Sequence, residues 1–102
     1  MSGTTDDRND PDLRTIRSDG MQETYLVLSE EERAKGFVRP VRTRYVHLPC
    51  GAVTWMNQAL AETYARNPSF YTGTWCAHCK GHYRVGELGE FVWDGTDLKV
   101  GT

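Results

Sequence analysis

A chain of 102 residues with 12 basic and 14 acidic side chains and a formal net charge of −2 has room for one domain. No apolar run approaches the roughly 20 residues that span a bilayer. The opening MSGTTDDRND has no basic-then-apolar order of a secretory signal. Three cysteines are an odd number for a disulfide framework. The expected setting is therefore cytoplasmic, or inside an intracellular assembly such as a virion, where thiols stay reduced and closely spaced cysteines imply metal or redox chemistry.

Residues 1–24 carry six carboxylates and three arginines with few large apolar groups. Such a segment buries too little surface to offset its ordering entropy, so a flexible acidic tail is expected ahead of a metal-binding domain at 25–102. Tyr25-Leu26-Val27-Leu28 reads as a short strand. Ser29-Glu30-Glu31-Glu32 reads as a capping box opening a short helix that Gly36 ends. From Phe37 to His47 the pattern is extended, with Pro40 delaying the strand; Val41, Thr43, Tyr45 and His47 share one face, Arg42 and Arg44 the other. A helix is expected over 54–67, with Met56, Ala59, Leu60, Thr63 and Tyr64 on one stripe and Asn67-Pro68 as its stop. Phe70 to Trp75 reads as a strand. Glu90 to Trp93 and Leu98 to Val100 form a hairpin across Asp94-Gly95-Thr96. Phe37, Tyr45, Trp55, Leu60, Tyr64, Phe70, Tyr71, Trp75, Phe91 and Trp93 are the apolar groups available to a core.

Two stretches carry the chemistry. His47-Leu48-Pro49-Cys50-Gly51 places two candidate ligands three apart with glycine after them. Cys76-Ala77-His78-Cys79-Lys80-Gly81 repeats that spacing. Side chains at i and i+3 of a tight turn reach one ion together, and glycine relieves the left-handed backbone such a turn requires. Two such knuckles facing one another supply His47, Cys50, Cys76 and Cys79. His82, in C-x2-C-x2-H on one loop, and His78, inside the turn, are alternative fourth ligands. Other readings make Cys50 a buried free thiol and His47 a hydrogen-bonded core histidine. A redox pair is disfavoured because Cys76 and Cys79 are flanked by strand rather than opening a helix. A histidine among the ligands favours Zn2+ over iron.

Over Tyr45–Tyr83 this H-x2-C…C-x2-C pattern resembles the zinc-ribbon and related zinc-knuckle domains. In size and shape the chain is also similar to small phage-encoded proteins, a likeness that assigns no residue. The resemblance implies an α+β fold: a small zinc-stapled domain, zinc-ribbon-like, with one central helix between two knuckles and a C-terminal β-hairpin. The inserted helix departs from ribbons that join their knuckles by strands and leaves a treble-clef-like arrangement open.

Four protein ligands close a coordination shell, and between Arg33 and Arg84 the one carboxylate is Glu62. A non-enzymatic protein is therefore expected. The same interval holds eight basic residues, while the rest of the chain holds four basic and thirteen acidic ones. Arg42, Arg44, Lys80 and Arg84, with Trp55 and Tyr83 for stacking, suggest nucleic-acid binding through a basic central surface. The competing reading is an ordinary solvated surface with Trp55 capping the core. A different function class is a protein-interaction or accessory structural role, docking through the basic face or Phe91-Val92-Trp93. No membrane partner and no small-molecule substrate is expected.

Overall fold

In the computed structural model, which describes residues 3–102, the acidic N-terminal segment lies along the domain. Gly3–Thr5 (β1) pairs in parallel with Thr24–Leu26 (β2), so the boundary read at residue 24 falls inside a strand. Between them Asp10 caps a 3-10 turn at Pro11–Arg14, and Ile16 bridges to Gln22. None of residues 3–23 is buried. Their contacts are surface ones: the Arg8 guanidinium lies 5.8 Å from the Phe70 ring centre, and Gly20 fits against the Trp75 indole.

After β2, Ser29 Oγ accepts the Glu32 amide at 3.1 Å and opens the short helix α1 (Glu30–Arg33); Gly36, at a φ of 113°, leaves it. The Glu32 carboxylate turns to Lys35 (2.9 Å) and Arg66 (3.4 Å), serving as an ion-pair partner. The remaining elements are β3 (Arg44–His47), β4 (Val53–Trp55), α2 (Gln58–Arg66), β5 (Gly73–Cys76), β6 (Gly81–Arg84) and β7 (Phe91–Trp93).

The chain makes one antiparallel sheet in the order β4-β3-β7 and a separate hairpin from β5 and β6. Pro40 does delay the strand: pairing starts at Arg44. Tyr45 and His47 face inward and Arg44 faces solvent, as the period-2 pattern requires. The C-terminal hairpin is present in reduced form, with Trp93 donating to the Leu98 carbonyl and Val100 to the Phe91 carbonyl, both at 3.0 Å.

The helix is shorter than its apolar stripe suggests. Val53, Thr54 and Trp55 are β-branched or aromatic, and they pair with β3 instead of opening a helix. Asn57 Oδ1 then accepts the Leu60 amide at 2.9 Å and caps α2. Its buried positions are Ala61, Thr63, Tyr64 and Ala65, so the inward face is rotated toward the small alanines. The core joins Tyr45, Met56, Ala61, Tyr64, Cys76, Val85, Phe91, Trp93 and Val100. Two of the residues offered to that core, Phe37 and Trp55, are exposed instead, and Phe70 is only half-buried.

Candidate metal centre

Each knuckle is the turn of an antiparallel pair. His47 closes β3, and its carbonyl accepts the amides of Cys50 (3.2 Å) and Gly51 (2.7 Å). The chain then passes through Gly51 at a φ of 73°, a left-handed conformation with open space around it, into β4. Cys76 closes β5, and its carbonyl accepts the Lys80 amide at 2.8 Å. Here the left-handed residue is Lys80, at a φ of 54°, and not the glycine that follows. Gly81 has another reason to lack a side chain: a Cβ there would meet the Tyr83 hydroxyl at 3.3 Å.

The two turns bring one ligand atom from each of His47, Cys50, Cys76 and Cys79 within 4.8 Å of one another, an arrangement that can hold a metal ion. Cys50 Sγ lies 3.4 Å from His47 Nδ1 and 3.6 Å from Cys76 Sγ; Cys79 Sγ lies 3.5 Å from His47 Nδ1. All three thiols are free. The Cys79 amide donates to Cys76 Sγ at 3.4 Å, the kind of backbone contact that stabilises a thiolate. Cys76 and His47 are buried and Cys79 is exposed, so the cluster sits at the edge of the core.

Three sulfurs this close cannot ionise independently. The Ala52 backbone amide, helped by His47 and the neighbouring thiols, draws Cys50 down to about 7. Desolvation, with Cys50 and Cys76 beside it, pushes Cys79 up to about 11. A cation amid the sulfurs removes that conflict, because it favours every thiolate at once.

His47 is held on three sides. Its Nε2 lies 3.0 Å from Glu90 Oε1, and its ring is stacked between Tyr83 (centroids 4.5 Å apart) and Phe91 (4.7 Å). The Glu90 contact engages Nε2, so Nδ1 is the ring atom turned to the sulfurs. This carboxylate–histidine pairing fixes both tautomer and ring orientation of a metal ligand. Glu90, Tyr83 and Phe91 have no ligand spacing to betray them; Glu90 is 43 residues from His47 and becomes its neighbour because β7 pairs with β3.

The alternative fourth ligands are elsewhere. His82 lies on β6, 2.8 Å through Nε2 from the Tyr25 hydroxyl and against the Trp75 ring; His78 is exposed in the turn. Neither is in the cluster. Tyr83, a candidate for stacking a base, is committed to His47.

The basic residues of the middle are not one patch. Arg33 pairs with Glu62 at 2.6 Å, and Arg66 and Lys35 both pair with Glu32. Arg42 and Arg44 border one shallow surface with Asp94, which lies 3.6 Å from Arg44. Lys80 lies in the turn before β6, and Arg84 is at the far end of that strand. Trp55 is 67% exposed, and the Arg44 guanidinium covers its ring at 5.2 Å.

Comparison of the chain with protein-family models, with curated proteins and with solved structures finds no match.

Proposed function

We propose that this chain is a non-catalytic zinc-binding module, zinc-ribbon-like in presenting two facing knuckles, that binds nucleic acid beside Arg42 and Arg44. The observation that carries the metal reading is the spacing of the donors. Zn–S distances of about 2.3 Å and Zn–N of about 2.0 Å in a tetrahedron separate two sulfurs by about 3.8 Å and a sulfur from a nitrogen by about 3.5 Å. The separations of 3.6, 3.4 and 3.5 Å fit that shell. Three sulfurs and one imidazole favour zinc over harder cations. Four protein donors leave no coordination position for a substrate, and Glu90, the carboxylate at the site, is engaged with His47. Zinc is therefore structural, a staple for a small core.

The nucleic-acid reading rests on the exposed Trp55 under Arg44, with Arg42 on the same surface. It is tested by titrating zinc-loaded protein with nucleic acid across a salt series. Three to five phosphate contacts give a log–log slope of roughly −2 to −4, and Arg42→Ala with Arg44→Ala flattens it by about two contacts. Absence of binding at roughly 50 mM salt by folded protein overturns the reading.

The other function class is a protein-interaction or accessory structural role. Phe91 and Trp93 are buried and cannot dock a partner. What favours this class now is the exposure of Leu48 and Val53 around the first knuckle.

A further inference from the structure

Between β4, β5 and α2 lies a cavity of about 180 Å³ that reaches the surface at Trp55. Tyr45, Tyr64 and Trp75, all buried, line it from the core, and Trp55 forms its exposed wall. An apolar cavity of roughly 150 Å³ is enough to take one benzene ring. This one also has a polar edge. Asn57 lines it, and because Asn57 Oδ1 is spent on the Leu60 amide, the side-chain nitrogen keeps its donors. Thr74 lines it too.

An aromatic box of this kind takes either a cation or a flat heteroaromatic ring. Charge decides between them. Among the described residues no carboxylate lines the cavity, whereas the Arg44 guanidinium already covers the Trp55 ring at its mouth and repels a second cation. On the adjoining surface Asp94 lies 3.6 Å from Arg44 and offsets part of its charge, but Arg42 adds a second guanidinium, so the mouth suits a ring that carries a phosphate.

We propose that this cavity is a pocket for one unpaired nucleobase, stacked on Trp55 and contacted at its edge by Asn57, with Arg44 and Arg42 on the flanking phosphates. This rests on the nucleic-acid reading above and narrows it: a base can enter only when released from its partner strand, so the module selects single-stranded over duplex nucleic acid.

The test compares a short oligothymidylate with a duplex containing the same strand, using zinc-loaded full-length chain and tryptophan fluorescence. The single strand is expected to bind at least about tenfold more tightly, with quenching. Trp55→Ala, an exposed position, is expected to weaken single-strand binding by about 5- to 150-fold, the loss of one base stack, and Trp55→Phe to restore most of it. Equal affinity for duplex and single strand, or unchanged affinity in Trp55→Ala, overturns the pocket while leaving phosphate binding by Arg42 and Arg44 in place. Failure to bind either polymer overturns the nucleic-acid reading itself, and the pocket with it.

Discussion

The two knuckles share a spacing but not a construction. The first is rigid in both directions. Gly51 supplies its left-handed residue, and its ligand His47 is 2% exposed, stacked between two rings and anchored by Glu90. The second is looser. Its left-handed residue is a lysine, its outer ligand Cys79 is exposed, and its other ligand Cys76 is held by burial. One turn is braced from outside by the C-terminal strand; the other rests on the core through the Cys76 sulfur and through the Ala77 amide, which donates to the buried Thr54 hydroxyl at 3.1 Å. A shared ligand motif therefore says which atoms meet a metal, and says little about what holds each of them.

The largest test removes the metal or a thiol. Chelation, or Cys50→Ala, Cys76→Ala or Cys79→Ala, is expected to unfold the domain, since a structural zinc site contributes on the order of 10 kcal/mol to the folded state. Circular dichroism with metal analysis, expected at one zinc per chain, reads this. Secondary structure retained in excess chelator breaks the staple argument. Next comes the brace: Glu90→Gln is expected to weaken zinc affinity by about 10- to 100-fold in competition with a chromophoric chelator. His82→Ala, which leaves the cluster intact, is expected to change it far less. If the two variants are equal, Glu90 does not position His47.

Smaller effects separate the turns themselves. Gly51→Ala puts a Cβ in the left-handed region and is expected to lower stability by about 1–2 kcal/mol, although open space surrounds it. Lys80→Gly is expected to stabilise by less than about 1 kcal/mol, because relief of strain is offset by a freer unfolded chain. Denaturant midpoints at constant slope measure both, and equal effects of the same sign would erase the contrast. The least costly change is deletion of residues 1–22. With none of residues 3–23 buried, it is expected to cost about 1 kcal/mol or less, a melting shift of at most about 4–8 °C. Fast amide exchange over that segment in the intact protein would agree with the tail composition; a larger loss would make it part of the fold.

The meeting of His47, Cys50, Cys76 and Cys79 was legible because it follows a local rule: i and i+3 in a turn, twice. The face of β3 was legible for the same reason, since alternation placed His47 beside Tyr45 on the inward side. Helix α2 was legible in its end but not its start. The helix was expected to start at Thr54, yet pairing with β3 claimed Thr54 and Trp55. Glu90, Phe91 and Tyr83 were illegible as a brace because their roles depend on which strands pair, not on any neighbour in sequence. The exposure of Trp55 belongs to the same class. Its aromatic bulk argued for the core, and only the register opposite Arg44 turns it outward.

The brace on His47 also orders events in time. All four donors lie before residue 80, whereas the groups that grip the imidazole come at Tyr83, Glu90 and Phe91. A ribosome delivers the chain from its N-terminal end. A chain made as far as Cys79 holds all four candidate ligands and none of the three groups that pack on the imidazole. The pairing of Phe91–Trp93 with Arg44–His47 therefore makes the last strand to be synthesised the one that completes the surroundings of the His47 ring.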